Sequence, residues 1–163
     1  VRDTQGVIIK AVSPHDDPIG GALLAVQKAA YAVEAELIGD DRIPPLRESL
    51  AELRARDLLW LAAFDGDGDG SGDGGPTGAV AWTESPEELD IDRLVVAPSM
   101  ARRGIGRALV EAVLARAGGR RVVVSTARGN VPARRLYEGL GFTLLGETEA
   151  IPKLWIANYA LLG

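Results

Sequence analysis

Cysteine is absent from the chain. Its absence excludes disulfides, thiolate-metal ligation and a cysteine nucleophile together. Histidine occurs once, as His15, near the first strand-like segment and with no marked serine partner, so it reads as a surface loop residue rather than half of a nucleophile–base pair. No apolar run approaches the ~20 residues that span a bilayer, and no leader-like segment precedes the first strand, so no membrane partner is expected. A soluble, cytoplasmic protein is the expectation, although a cysteine-free chain suits an oxidising compartment as well. An excess of basic charge is also missing. Eighteen Lys and Arg stand against twenty-three Asp and Glu, a net charge of −5, so a nucleic-acid partner is not expected. An acidic surface suits cationic amines, and it serves solubility equally.

What remains is a chain of 163 residues, 47% hydrophobic, long enough to bury a sizeable core as a single domain over 1–163. "GVIIKAV" (Gly6–Val12) reads as a strand. Asp17 and Pro18 then read as an N-cap and first helical position, with Ile19, Leu23, Val26, Ala30, Val33 and Leu37 on one face of a long helix closed near Gly39. Leu46, Leu50 and Leu53 predict a second amphipathic helix. Strands are expected at Leu58–Phe64, Thr77–Thr83 and Leu89–Val96. A helix follows from Gly104 to Ala117, then a strand at "RVVVST", a short helix in "NVPARRLYEGL", and two final strands. This order predicts an α/β fold with about six to seven strands and about four helices.

The run "DGDGDGSGDGG" (Asp65–Gly75) joins two expected strands and invites a calcium-loop reading. Counted from Asp65, an EF-hand is matched at Asp67, Asp69 and Gly70, but position 12 is Pro76, which has no carboxylate. The flanks are strand-like rather than helical. The run over 65–76 is therefore expected to be a flexible connection, with no metal site.

The chemistry concentrates in "LVVAPSMARRGIGRALV" (Leu94–Val110), a strand, an Arg/Gly turn and a helix start. Gly104 and Gly106 permit close backbone approach, the helix N-terminus presents free N–H groups, and Arg102, Arg103 and Arg107 add positive charge, a combination suited to phosphates. A Walker A loop lacks its G-K-[ST] ending here, and a dinucleotide fingerprint fails because its third glycine is Leu109. In the second informative stretch, "NVPARRLYEGLGF", Asn130 stands at a helix start and Tyr137 lies about two turns, ~10 Å, further along the same face. Taken alone, this pair also reads as an N-cap and a packed tyrosine.

Together and in this order, the two stretches resemble the GNAT superfamily of acetyl-CoA-dependent acyltransferases. The first resembles the family's [QR]-x-x-G-x-[GA] pyrophosphate motif after a strand L-x-V-x-P. The second resembles its N-x-x-A-x-x-L-Y-x-x-x-G-F motif through Asn130, Ala133, Leu136, Tyr137, Gly141 and Phe142. One departure is Ala101, which stands where the family has Gln or Arg. The resemblance implies a single GNAT-like domain with a mixed, largely antiparallel sheet. It implies that Leu94, Val95 and Val96 pair with the pantetheine arm of acetyl-CoA. The turn of Arg102, Arg103, Gly104, Ile105, Gly106 and Arg107 would hold the pyrophosphate, Asn130 would contact the cofactor, and Tyr137 would lie near the thioester sulfur.

Direct acetyl transfer to a primary amine, of a small molecule or a peptide, is the expected reaction, since a covalent acyl-enzyme has no cysteine to form on. An amine of pKa ~10 must lose a proton before attack, and a leaving thiolate of pKa about 8.5 benefits from a donor, the role of Tyr137. Asp90 stands where the resemblance places a glutamate base; Asp92, Glu84 and water are the alternatives. The acceptor side is expected from the first two helices, where Glu34, Glu36, Asp40 and Asp41 could attract an amine, and from Trp155 and Tyr159 on the final strand. A non-catalytic acyl-CoA-binding module is the competing reading, with Ala101 as a sign of drift. Dimers are common in such families, and the sequence leaves the oligomeric state open.

Overall fold

The computed structural model describes residues 7–65 and 74–162. Strand β1 (Ile8–Val12) is followed by helix α1 (Ile19–Ile38), a 3-10 turn (Pro44–Arg47) and helix α2 (Leu50–Ala55). Strands β2 (Leu59–Phe64), β3 (Gly78–Glu84) and β4 (Glu88–Val96) lead to helix α3 (Ile105–Ala117). Strand β5 (Arg121–Ala127), helix α4 (Val131–Gly139), β6 (Thr143–Ile151) and β7 (Leu154–Leu161) complete the chain. The strands form one seven-stranded sheet in the order β1-β2-β3-β4-β5-β7-β6. Only β4 and β5 run parallel; the other pairs are antiparallel. The α/β class, the strand and helix numbers and the largely antiparallel sheet all agree with the expectation.

Alternation along the strands assigns each residue to one of two cores. Leu61, Ala63, Val80, Leu89 and Ile91 face α3, whose Leu109, Val110 and Val113 are fully buried. Trp60, Ala62, Phe64, Ala79 and Ala81 face Leu23 of α1 and Leu53 of α2. Gly78 is small for a reason: a Cβ there would lie 2.9 Å from the Val95 carbonyl oxygen and 3.0 Å from Ile105 Cγ2. The sheet and α3 meet too closely for a side chain.

Three local expectations are corrected. Helix α1 begins at Ile19, with Pro18 at the N-cap and no side-chain cap; Asp17 instead pairs with Arg54 at 2.7 Å. The second helix is shorter than the leucine spacing suggested. Leu46 belongs to the 3-10 turn that Pro44 and Pro45 open, and α2 starts afresh at a capping box in which Ser49 and Glu52 satisfy each other's backbone N–H groups. The buried stripe of α1 also drifts from the hydrophobic one. Val33 and Leu37 are 50% and 49% exposed, while Leu23, Gln27, Tyr31, Glu34 and Ile38 turn inward. The run over 66–73, read above as a flexible connection without a metal site, lies outside the described residues.

Candidate active site

A β-bulge prepares the site. Trp82 lies opposite Ile91 and Ala81 opposite Arg93, so Asp92 is an extra residue in β4. Bulges bend and twist a strand. Ile91 therefore points to the α3 side, whereas Val95, of the same parity, is buried under α1. On its other flank β4 pairs with β5 only from Glu88–Arg121 to Ile91–Val124. Beyond that rung, β5 pairs with β7 alone, through Ser125, Thr126 and Ala127. The two parallel strands have separated, and a cavity of about 230 Å³ lies where they part.

Leu94, Asn130 and Tyr137, all singled out from sequence, line that cavity together. Past the last rung, the β5-facing edge of β4 at Leu94, Val95 and Val96 has no strand partner among the described residues. Unpaired backbone groups of this kind demand a partner, which an extended amide-bearing arm can supply. A few residues on, the chain turns through Arg102, which holds φ 65°, into Gly104, the N-cap of α3, at φ 78°. Both angles are left-handed, and no side chain caps the helix. The first N–H groups of α3, those of Ile105, Gly106 and Arg107, are thus left for an anion. The Ile105 side chain is buried in the core, so its contribution is its backbone. Gly106 is wedged among Leu136, Val96 and Leu94, at 3.5–3.7 Å from where its Cβ would be. Arg102 and Arg103 are exposed, while Arg107 faces Glu111 at 3.7 Å. Unpaired strand edge and uncapped helix start together fit a thioester cosubstrate with an amide arm and phosphates.

At the start of α4, the Asn130 side chain works in two directions. Its oxygen accepts from Ala133 N–H at 3.2 Å, capping the helix, and its amide donates to Glu34 Oε1 at 2.6 Å. Tyr137 is buried against Phe142 and Tyr159, and its hydroxyl makes no hydrogen bond to another described residue. Burial raises its pKa well above the ordinary phenol value, and the Glu34 charge raises it further. The proton is therefore held at neutral pH. Burial also raises the Glu34 carboxyl, against an opposing contribution from the Asn130 hydrogen bond.

The other carboxylates occupy different surroundings. Asp90 lies opposite Thr83 and Val123, within the paired stretch of β4, exposed and outside the cavity lining; partial burial, Glu88 and Asp92 raise its pKa. Asp92 lines the cavity but accepts from Arg56 and from Arg93, each at 2.7 Å. Glu84 takes a hydrogen bond from the Trp82 indole and faces Arg116 and Arg120. The Trp82 hydrogen bond is the main reason that its pKa is lowered. Of the final-strand aromatics, Tyr159 is core, bonded to Glu138 at 2.6 Å, and Trp155 stacks under Arg128; Leu154 and Ile156 line the cavity instead.

Sequence reasoning passed over one group that the site depends on. Arg93, with its side chain 1% exposed, donates to Glu48 at 2.6 Å, to Gln27 at 2.8 Å and to Asp92. Gln27 in turn donates to the Pro45 carbonyl and to Glu48. This network ties α1 and the 3-10 turn to the bulge. An arginine in the middle of the apolar run "LDIDRLVV" was its only signal.

With this geometry in view, the likenesses to known proteins fall into place. The model of the acetyltransferase (GNAT) family matches residues 22–142. The chain is 32% identical over 155 residues to the UPF0157 protein YqkA of Bacillus subtilis, covering 94% of this chain and 43% of that protein. It thus spans less than half the length of this curated relative. The ribosomal-protein-S18-alanine N-acetyltransferase of Escherichia coli shares the fold at a TM-score of 0.72 and 17% identity, over 96% of this chain and 93% of that one. YncA of Salmonella typhimurium, solved with its cofactor acetyl-CoA, superposes at 0.63 with 19% identity, over 96% and 94%. The motif pair, the sheet and the family model agree: the chain belongs to the GNAT acetyltransferase family.

Proposed function

We propose that the domain transfers an acetyl group from acetyl-CoA directly to a primary amine of a small molecule or a peptide. The observation that carries this reading is the parting of β4 from β5 beyond Ile91 and Val124, with the left-handed turn at Gly104 following β4 and Tyr137 on the cavity wall. The unpaired edge of Leu94, Val95 and Val96 receives the pantetheine amides. The N–H groups and arginines of 102–107 hold the pyrophosphate. Asn130 fixes the start of α4 and contacts the bound cofactor. Among the fold relatives, one is named for N-acetylation of an alanine and another was solved with acetyl-CoA, which supports the cosubstrate and an amine acceptor.

Tyr137 suits the task of protonating the departing sulfur. Its hydroxyl stays protonated at neutral pH, and its ring is clamped by Phe142 and Tyr159. Asp90 lies outside the cavity wall and could reach an acceptor only through water, while Asp92 is engaged by two arginines. Mass spectrometry of mixtures of acetyl-CoA with a panel of amines and peptides tests the reading. An acetylated amine with free CoA in equal amount supports it. Acetyl-CoA binding without transfer to any amine would support the acyl-CoA-binding module instead.

A further inference from the structure

The acid in this cavity has a clear candidate in Tyr137, but the carboxylate that the family resemblance nominated as base, Asp90, lies outside the wall. Glu34 is in the wall itself. It comes from α1, on the inward stripe with Gln27, Tyr31 and Ile38, and shares the cavity wall with Leu94 of β4 and Tyr137 of α4. One oxygen, Oε1, is fixed by the Asn130 amide at 2.6 Å, and Asn130 is itself fixed by capping α4. The other oxygen makes no hydrogen bond to a described residue. Glu34 forms no ion pair among the described residues, unlike Asp92 and Glu84. A carboxylate oriented by one oxygen and left open at the other is arranged to accept a proton from something that enters the cavity.

We propose that Glu34 is the group that receives the acceptor's ammonium and takes its proton. This rests on the acetyltransfer reading above. The R–NH3+ group gives one proton to Glu34, directly or through one water. The nitrogen lone pair then forms the C–N bond to the thioester carbonyl carbon, and the C–S bond breaks with its electron pair on sulfur. Tyr137 gives its proton to sulfur and regains one from the nitrogen. Glu34 releases its proton to solvent, so the sum is ammonium plus thioester giving amide, thiol and one proton. Partial burial of Glu34 makes it a stronger base than an exposed carboxylate. The other titratable or charged groups facing the cavity are Tyr31 of α1, Arg42 beyond its end, Asp92 and Arg93 of β4, and Tyr137 of α4. Arg42 is held by Asp40, and Asp92 and Arg93 neutralise each other, so neither arginine offers Glu34 a hydrogen bond.

The test compares the parent protein with Glu34→Gln, which keeps an oxygen for the Asn130 amide, and with Asp90→Asn. Each is assayed with acetyl-CoA against phenethylamine, spermidine, an alanine-initiated peptide and hydroxylamine, whose nitrogen is largely unprotonated at neutral pH. The inference predicts that Glu34→Gln lowers kcat/KM about 10²-fold or more with the ammonium acceptors and far less with hydroxylamine. Acetyl-CoA affinity should be unchanged, and the acidic limb of the parent's pH–rate profile should give way to a rise set by the acceptor's own ammonium titration. Asp90→Asn should leave that limb in place. Equal losses for all acceptors, or an unaltered pH profile, would overturn the role of Glu34. A parent that binds no acetyl-CoA, or that binds it and acetylates none of the amines, would overturn the acetyltransfer reading beneath it.

Discussion

Ile91 and Val124 form the last rung that β4 and β5 share. Up to that pair the two parallel strands are one continuous sheet; beyond it β4 has a free edge and the cavity opens. The extra residue at Asp92 stands immediately after the rung, so the bulge and the separation are one structural event. The features assigned to the cosubstrate, namely the strand edge, the phosphate turn and the tyrosine, lie at or after this point in the chain.

Removing the Tyr137 hydroxyl tests the acid. Tyr137→Phe keeps the ring that packs on Phe142 and Tyr159 and deletes only the donor. A fall in kcat of about 10²-fold or more is expected, with acetyl-CoA affinity retained, as for other positioned acids. Steady-state kinetics with calorimetric binding separates the two effects.

Truncating Arg93 tests the network behind the bulge. Arg93→Ala leaves the Glu48 and Asp92 carboxylates facing a gap in a buried place. A loss of about 3–5 kcal/mol in urea unfolding is expected, the range for breaking one side of a buried ion pair. Glu48→Gln, which keeps an acceptor for Arg93, should cost less.

Glu34 makes a prediction about stability as well as rate. Its folded-state pKa is raised above the reference of 4.5, chiefly by burial. The native state therefore binds more protons than the unfolded chain as pH rises from that reference through the folded value. Over this window the Glu34 carboxyl withdraws stability as pH rises, a contribution that Glu34→Gln lacks. Urea titrations at pH 4 and pH 8 should show the difference between parent and variant shifting in favour of Gln at the higher pH.

The close approach of α3 to the sheet is tested at Gly78. A valine there meets the Val95 carbonyl and Ile105 within about 3 Å, and neither is the free end of a flexible chain. Overpacking of this kind costs about 1–3 kcal/mol, which thermal unfolding would register as a lower Tm.

The sequence carried the order of strands and helices because the periods of two and 3.6 are clean in most segments. It carried the turn into α3 because the glycines at 104 and 106 mark backbone geometry directly. The cap and tyrosine of α4 were visible as a seven-residue spacing, and the structure does bring Asn130 and Tyr137 to one cavity. What it hid has physical causes. A bulge adds one residue without any residue type that announces it, so the neighbours of Asp92 and Arg93 were not readable. The inward stripe of α1 includes Gln27 and Glu34, which a hydrophobic pattern discounts, and so the pattern settled on Val33 and Leu37, half exposed in the structure. Leu46 and Leu50 shared a helical spacing that the extended Glu48 and the Ser49 cap interrupt.

The central claim is that the turn at Gly104 holds the pyrophosphate of acetyl-CoA, and calorimetric titration of acetyl-CoA into the parent and a Gly104→Trp variant tests it most directly. Gly104 sits at φ 78°, where any other residue is strained and a large side chain obstructs the free N–H groups of α3. The account predicts micromolar binding by the parent, weakened by added salt, and no measurable binding by the variant while its circular dichroism spectrum stays that of a folded protein. No binding by the parent, or equal binding by a folded variant, would contradict it.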